Sequence, residues 1–293
     1  MERVCYICIK IQMNKLVLSK AEIISYYKSG LSCQKIVDLY NPGLSRCSIS
    51  SLLRKWKVPI KDKHNRCRKY FVDNNYFNKI DTEEKAYWLG FLYADGCVFK
   101  SKTGEKKLQL KSIDKEVVDN FTKLLNSTYP IKISFNIRNG IKYYYYFVYI
   151  TSHSLVDSLI KLGCGYKKTF KLKFPRSNVL PVALRSHFMR GYFDGDGCVT
   201  TFYRKGTNKV QLSSNICGTQ RFCKQFQSHL PFIQLGKVHF VRNISKLNWY
   251  KTDSMKFYTF LYTGATIFLT RKRKKFEDFI KEEDSTTIIS YPK

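Results

Sequence analysis

Acidic residues are scarce in this chain. Its 293 residues hold 22 Asp and Glu against 52 Lys and Arg, a formal charge of +30. A deficit of that size, spread along the chain, fits nucleic acid as the partner. A basic, highly soluble ribosome-associated factor is the plainer alternative. Long apolar runs are missing too. None approaches the ~20 residues of a membrane-spanning helix, so no membrane partner is expected. The opening MERVCYICIKIQM is too short and too polar for a secretory leader, and Met13 offers a second start. Paired metal-ligand motifs are also lacking. Of ten scattered cysteines only Cys5 and Cys8 have ligand-like spacing, and no second Cys or His pair follows at zinc-finger distance. A soluble, reduced intracellular protein of open compartment is expected rather than a disulfide framework. Apolar content is ordinary and aromatics are abundant, which excludes a disordered basic tail.

The length accommodates two domains, or one large domain with a small module. Residues 19–60 read as three short helices. Ser19 caps the first, with Ile23, Ile24 and Tyr27 apolar, and Gly30 ends it. Ser32 opens the second, with Ile36, Val37 and Leu39 apolar. Asn41-Pro42-Gly43 breaks the chain. The third starts near Ser45, carries Ile49, Leu52, Leu53 and Trp56, and stops before Pro59. This order resembles a helix-turn-helix unit. Arg46, Ser48, Ser51, Arg54 and Lys55 on the third helix are its candidate DNA-facing residues. A plain three-helix bundle is the alternative. Lys57, Lys61, Lys63, Arg66, Arg68 and Lys69 then crowd a basic linker, lying along phosphates or simply solvated.

Two segments further on repeat each other: WLGFLYADG at 88–96 and MRGYFDGDG at 189–197. Each is an apolar, helix-like run ending in Asp-Gly. The first helix starts at Thr82, with Glu83 and Glu84 favourable in its first turn. Strand runs follow at 97–101 and 107–113, then an amphipathic helix at 115–126. Strands at 131–138 and 142–151 flank Asn139-Gly140, a hairpin signal, and a helix covers 154–162. The order then recurs: a helix from near Pro181 to Gly197, strands near 198–203 and 209–214, a helix at 219–230, strands near 236–242 and 247–252, and helical segments to about 281. Val210-Gln211-Leu212 repeats Leu108-Gln109-Leu110. The division expected is 1–60, a linker at 61–78, a first repeat at 79–178 and a second at 179–293.

Gly90 and Ala94 share one helix face, and Gly191 and Gly195 hold the matching positions. Small residues at that spacing let two backbones approach. Glycine inside a helix costs about 1 kcal/mol relative to Ala, and close approach is a reason to accept that cost. Helices packed this way deliver Asp95 and Asp196 to one place. Each acid then faces the negative end of its own helix dipole and repels the other, a conflict that a divalent cation such as Mg²⁺ resolves. Taken singly, each Asp-Gly reads as a helix C-cap with left-handed glycine.

The two segments resemble the twin motifs of LAGLIDADG homing endonucleases in their single-chain, two-repeat form. Leu89-Gly90 to Asp95-Gly96 and Arg190-Gly191 to Asp196-Gly197 fit in frame, as do the contexts IDTEEKAYWLGFLYADG, LKFP and HFMRGYFDGDGCV. The likeness covers about residues 70–275, and a helix-turn-helix ahead of the repeats is seen in relatives of this kind. The resemblance implies an α+β fold of two pseudo-symmetric αββαββα repeats, with antiparallel saddle-shaped sheets over DNA and a small all-α module in front. It implies that Asp95 and Asp196, with Gly96 and Gly197 beside them, form a Mg²⁺ site that cuts both strands across the minor groove. Position 93 is Tyr where the family motif often has Asp; the second copy keeps Asp194. Family sites also hold a Lys or Gln around the attacking water. Lys168 in GYKKT is one candidate and Lys272 in TRKRKK its rough counterpart, although a surface charge run is the favoured reading of Lys272. Gln109, Lys111, Gln211 and Ser213 lie on strand faces that read base edges or are merely solvated.

The function expected is a monomeric, site-specific, Mg²⁺-dependent DNA endonuclease acting on double-stranded DNA at a long asymmetric target. A catalytically silent DNA-binding regulator, or an RNA maturase acting on its own intron RNA, would use the same fold. An intein-embedded form is not expected, since the chain opens without Cys or Ser and ends in Ser-Tyr-Pro-Lys.

Overall fold

The computed structural model describes residues 18–40, 44–60, 69–203, 210–231, 237–241 and 244–289. Cys5, Cys8, Cys67, the Asn41-Pro42-Gly43 break and the basic residues 61–68 lie outside these. Backbone packing separates one unit ending at Lys69 from a second beginning at Tyr70.

The first unit holds α1 (Lys20–Lys28), α2 (Cys33–Tyr40) and α3 (Arg46–Lys55). Ser19 and Glu22 form a reciprocal capping box at the start of α1. The Ser32 hydroxyl accepts the Lys35 amide, and the Ser45 hydroxyl the Ser48 amide. Gly30 leaves α1 with φ +104°, open to glycine without strain. Ile23, Tyr27, Cys33, Ile36, Val37, Ile49 and Leu53 make a separate small core. Leu39, read as an apolar face position, is 62% exposed.

The second unit carries the repeats. The first runs α4 (Glu83–Ala94), β1 (Cys97–Lys100), β2 (Lys106–Ser112), α5 (Lys115–Leu124), β3 (Lys132–Arg138), β4 (Ile141–Thr151), α6 (His153–Lys161). The second runs α7 (Arg185–Asp196), β5 (Cys198–Tyr203), β6 (Val210–Gly218), α8 (Gln220–Gln227), β7 (Lys237–Val241), β8 (Ile244–Tyr250), α9 (Thr252–Tyr262), followed by α10 (Thr270–Ile289). The fold is α+β. Each sheet is antiparallel, ordered β1-β2-β4-β3 and β5-β6-β8-β7. Asn139 and Gly140 both take positive φ, 49° and 77°, as a two-residue hairpin turn demands, and Arg138 pairs with Ile141 across it. The last helix reaches Ile289 rather than about 281.

The first sheet buries one face and opens the other, whereas on the second sheet Ser213, Asn215 and Asn248 are buried on the face opposite the core as well. Leu108, Leu110, Val148 and Ile150 are fully buried in the core that also holds Val117, Phe121, Leu155 and Leu159. Val199, Leu212, Ile216, Leu247 and Trp249 are among the buried strand residues of the second sheet, and Trp249 stacks on Phe257 of α9 at 3.9 Å.

The expected match of Gln211 to Gln109 does not hold in the ladders. Cys97, two residues past the first acid, pairs with Gln109; Cys198, two past the second, pairs with Asn215. Asn215 is therefore the counterpart of Gln109. Gln211 sits four residues farther out, opposite Phe202. The second hairpin has longer strands, so a local sequence likeness slides along a ladder of period two without changing face.

Candidate active site

The site is built on the α4–α7 pair. Residues 86–93 of α4 are all buried, as are residues 188–194 of α7. The helices touch backbone to backbone. A Cβ on Gly90 would stand 2.0 Å from the Phe188 carbonyl oxygen, and one on Gly191 would stand 1.9 Å from that of Tyr87. A Cβ on Gly195 would stand 2.3 Å from that of Ala94. Gly90, Ala94, Gly191 and Gly195 thus all lie in the contact.

Both helices end at their acids: Asp95 is the C-cap of α4 and Asp196 the last residue of α7. The Asp-Gly steps are not left-handed caps. Gly197 is extended, at φ −75° and ψ 158°, and Gly96 is not among the positive-φ glycines. Glycine is needed there for space. A Cβ on Gly96 would meet the Leu92 carbonyl oxygen at 2.6 Å, and one on Gly197 the Phe193 ring at 2.2 Å. The chain can therefore turn tightly out of each helix into a strand, leaving the carboxylates at the junction.

Asp95 and Asp196 both reach solvent, yet protein crowds around each carboxylate. Desolvation there raises both, and the Asp196 charge adds to the rise of Asp95, which moves up to about 6. The recess beside Asp95 holds about 330 Å³, and Lys111, Arg138 and Arg271 are among its lining residues. Among the described residues no third His, Cys, Asp or Glu joins the two carboxylates.

Two lysines close the helix ends. The Lys168 ammonium donates to the Ala94 carbonyl at 2.8 Å. It sits on a short 3-10 turn, Lys168–Phe170, behind Lys167 at φ 51°. The Lys272 ammonium donates to the carbonyls of Phe193 at 2.6 Å and Gly195 at 3.0 Å. Lys272 is only 4% exposed, which corrects the surface-charge-run reading. Leu269, just before the helix, and Phe276, four residues on from Lys272, are themselves buried, a pattern hidden by the surrounding Arg and Lys. Burial lowers its ammonium to about 8, while Asp194, Asp95 and Asp196 hold it up against that fall. Each lysine brings positive charge to a helix C-terminus and toward both acids.

Asp194 and Tyr93 hold equivalent places but act differently. Asp194 is buried and accepts hydrogen bonds from Tyr87 Oη (3.0 Å), Tyr262 Oη (2.5 Å) and the Leu269 amide (2.7 Å). It ties α7 to α4, to α9 and to the segment that delivers Lys272. Tyr93 donates its hydroxyl to the Leu162 carbonyl at 2.6 Å. Gly163 makes room for that hydroxyl: a Cβ there would lie 2.0 Å from it.

Arg190 is 1% exposed. Its guanidinium donates to Glu83 Oε1 at 2.6 Å and to the carbonyls of Leu261 and Ile267, both at 2.8 Å. Glu83 also accepts the Thr266 amide. Glu83 is therefore more than a first-turn acid; it is the counter-ion that joins the repeats. An arginine inside an apolar motif helix was the signal, because a buried guanidinium requires a partner.

On the sheets, Gln109 and Lys111 lie on the open face; Gln109 donates to Tyr149 Oη at 3.0 Å, and Lys111 sits 4.5 Å over the Tyr145 ring. Gln211 is half-buried. Ser213 is only 7% exposed, which corrects its place among open positions: its ladder neighbours Thr200 and Tyr250 flank it on a central strand. In the first unit Arg46, Ser51, Arg54 and Lys55 are exposed, while Ser48 is partly buried and bonded to Ser45.

Duplicated αββαββα units joined by glycine-tight helices that end in paired acids define a LAGLIDADG-type fold. The family model described as a LAGLIDADG-like domain matches residues 82–162 and 183–230, one stretch in each repeat. It is 32% identical over 123 residues to the replication factor C small subunit of Methanocaldococcus jannaschii, covering 41% of this chain and 6% of that protein. The chain thus spans a small fraction of that curated relative's length. Similar solved structures include the LAGLIDADG meganuclease I-AabMI bound to uncleaved DNA, at 16% identity and TM-score 0.48, covering 69% of this chain and 90% of that one. Another is the homing endonuclease I-GzeII with its DNA target, at 14% and 0.45, covering 71% and 92%. A third is I-LtrWI bound to target DNA, at 15% and 0.44, covering 74% and 92%. No helix among the described residues is long and apolar enough to cross a membrane.

Proposed function

We propose that this protein is a site-specific DNA endonuclease that makes a divalent-metal-dependent double-strand cut, with Asp95 and Asp196 as its metal-holding acids. The observation that carries this reading is the convergence of two carboxylates at the ends of two helices whose backbones touch, with each acid's charged form disfavoured by its surroundings. That arrangement destabilises the metal-free site and favours a hard cation. Two carboxylates are a sparse donor set; Mg²⁺ suits such a set because it keeps several waters and takes phosphate oxygens as ligands. When bound, Mg²⁺ supplies charge that polarises a phosphodiester and activates water.

The chain's own residues do the rest. Lys168 and Lys272 neutralise the helix C-termini and hold positive charge beside the acids. Gly96 and Gly197 let the acids sit at the helix-to-strand turns. Gln109 and Lys111 on the open face of the first sheet, with the half-buried Gln211 on the second, are available to DNA, and the excess of positive charge supports salt-sensitive binding. Arg46, Arg54 and Lys55 extend the contact if the first unit docks as a helix-turn-helix.

The test is incubation of the protein with a plasmid library of random inserts, in Mg²⁺ and in EDTA. Double-strand cuts at one preferred sequence, present only with Mg²⁺, are expected. Asp95→Asn and Asp196→Asn should abolish cutting and keep binding. Cutting by both variants would refute the assignment.

A further inference from the structure

The faces of the two sheets that point away from the core differ in chemistry at matched ladder positions. On the first sheet Phe99, Tyr149 and Phe147 form a continuous row, with ring centroids 6.0 and 5.2 Å apart, and Tyr145 follows Phe147 at 5.9 Å. Strand register places these rings on the face of Gln109 and Lys111. Counted from the acids, the same three ladder positions in the second sheet are Thr200, Asn248 and Lys246. One repeat carries aromatic carbon where the other carries a hydroxyl, a largely buried amide (Asn248, 7% exposed) and an ammonium.

An open aromatic row is costly in water and needs an occupant. Lys107, Lys111, Lys132 and Arg138 share that face by register, so the occupant carries negative charge and apolar groups together. Duplex DNA offers both. In the major groove the only apolar group on a base edge is the C5-methyl of thymine. Gln109 is already engaged through its Nε2 with Tyr149, which leaves its carbonyl oxygen, an acceptor, as the polar reader beside the rings. We propose that the first repeat reads its half of the target largely through thymine methyl groups held against Phe99, Phe147 and Tyr149, and that the second repeat does not. This rests on the endonuclease reading above and adds the base chemistry of one half-site.

Deoxyuracil lacks only that methyl and keeps every hydrogen-bonding edge. The full chain would be used, in EDTA, to select bound duplexes from a random 30-base-pair pool. The selected duplex would then be resynthesised with uracil for thymine in one half or the other. Uracil in one half is expected to weaken binding about fourfold per contacted methyl, and uracil in the other half to change little. In Phe147→Ser, and independently in Phe99→Thr, the thymine and uracil duplexes should bind more nearly alike, with thermal unfolding used to check that each variant is folded. Equal losses from the two halves, no loss from either, or a loss that persists undiminished in both variants would overturn the inference while leaving the endonuclease reading intact. A pool that gains no preferred sequence would overturn both.

Discussion

Replacing Gly191 by Ala tests the helix contact on which the site depends. An added Cβ would lie 1.9 Å from the Tyr87 carbonyl oxygen, 2.7 Å from its carbon and 3.0 Å from the Phe91 nitrogen. All three atoms are backbone, so no side chain can swing aside. Relief requires the helices to part by about 1.1 Å, to the 3.0 Å that Cβ atoms keep from other heavy atoms. Overpacking of a core costs roughly 1–3 kcal/mol, and a clash with backbone belongs at the top of that range. Alanine returns about 1 kcal/mol in helix propensity. The net expectation is a loss of about 2 kcal/mol, or an unfolding midpoint lowered by roughly 4–8 °C for a unit of this size. Gly165→Ala is the control, because a Cβ there meets nothing within 4 Å. Cutting should suffer more than stability, since a shift of ~1 Å between reacting groups can cost ~10²-fold. Thermal and urea unfolding, with cleavage measured well below the midpoint, would decide it. If Gly191→Ala proved as stable and active as the parent, the close helix contact would not be what sets the site.

Arg190→Leu, which copies Leu89 of the first repeat, strands Glu83 and the two carbonyls of Leu261 and Ile267; removing one member of a buried pair costs about 3–5 kcal/mol, measurable by urea unfolding, and Glu83→Gln in the same chain should recover part of it. Lys272→Met keeps the packing but deprives the Phe193 and Gly195 carbonyls of their donor; a loss of about 1–3 kcal/mol together with slower cutting is expected, and unchanged stability would show that the ammonium is not holding the helix end. The native Asp95 carboxyl keeps its proton up to about pH 6, whereas the unfolded chain releases it near the ordinary value. Across that window the native state binds more protons, so the metal-free protein loses stability as pH rises through it. Proton and cation then compete, so Mg²⁺ affinity should rise about tenfold per pH unit below about 6 and level off above; titration calorimetry across pH 5–8 showing a flat affinity would refute this.

Much of this protein was legible in its sequence because the signals were local. Helix starts at Ser19, Ser45 and Thr82, and the Asn139-Gly140 turn, depend on residues within a few positions of one another, as capping and turn chemistry do. The twin Asp-Gly segments showed the duplication and pointed to the small residues between the helices. What the sequence could not decide was what meets across distance. The offset of Gln211 from Gln109 follows from strand length and pairing. The burial of Lys272 and Ser213 follows from neighbours, and a run such as TRKRKK looks solvated until a helix turns one of its lysines inward. Arg190 needed a partner, but only the packed repeats brought Glu83, 107 positions earlier, to within 2.6 Å of it. Composition and periodicity determined which elements form and which faces are apolar; tertiary packing decided which charges share a low-dielectric interior, because that depends on distances that chain order does not encode.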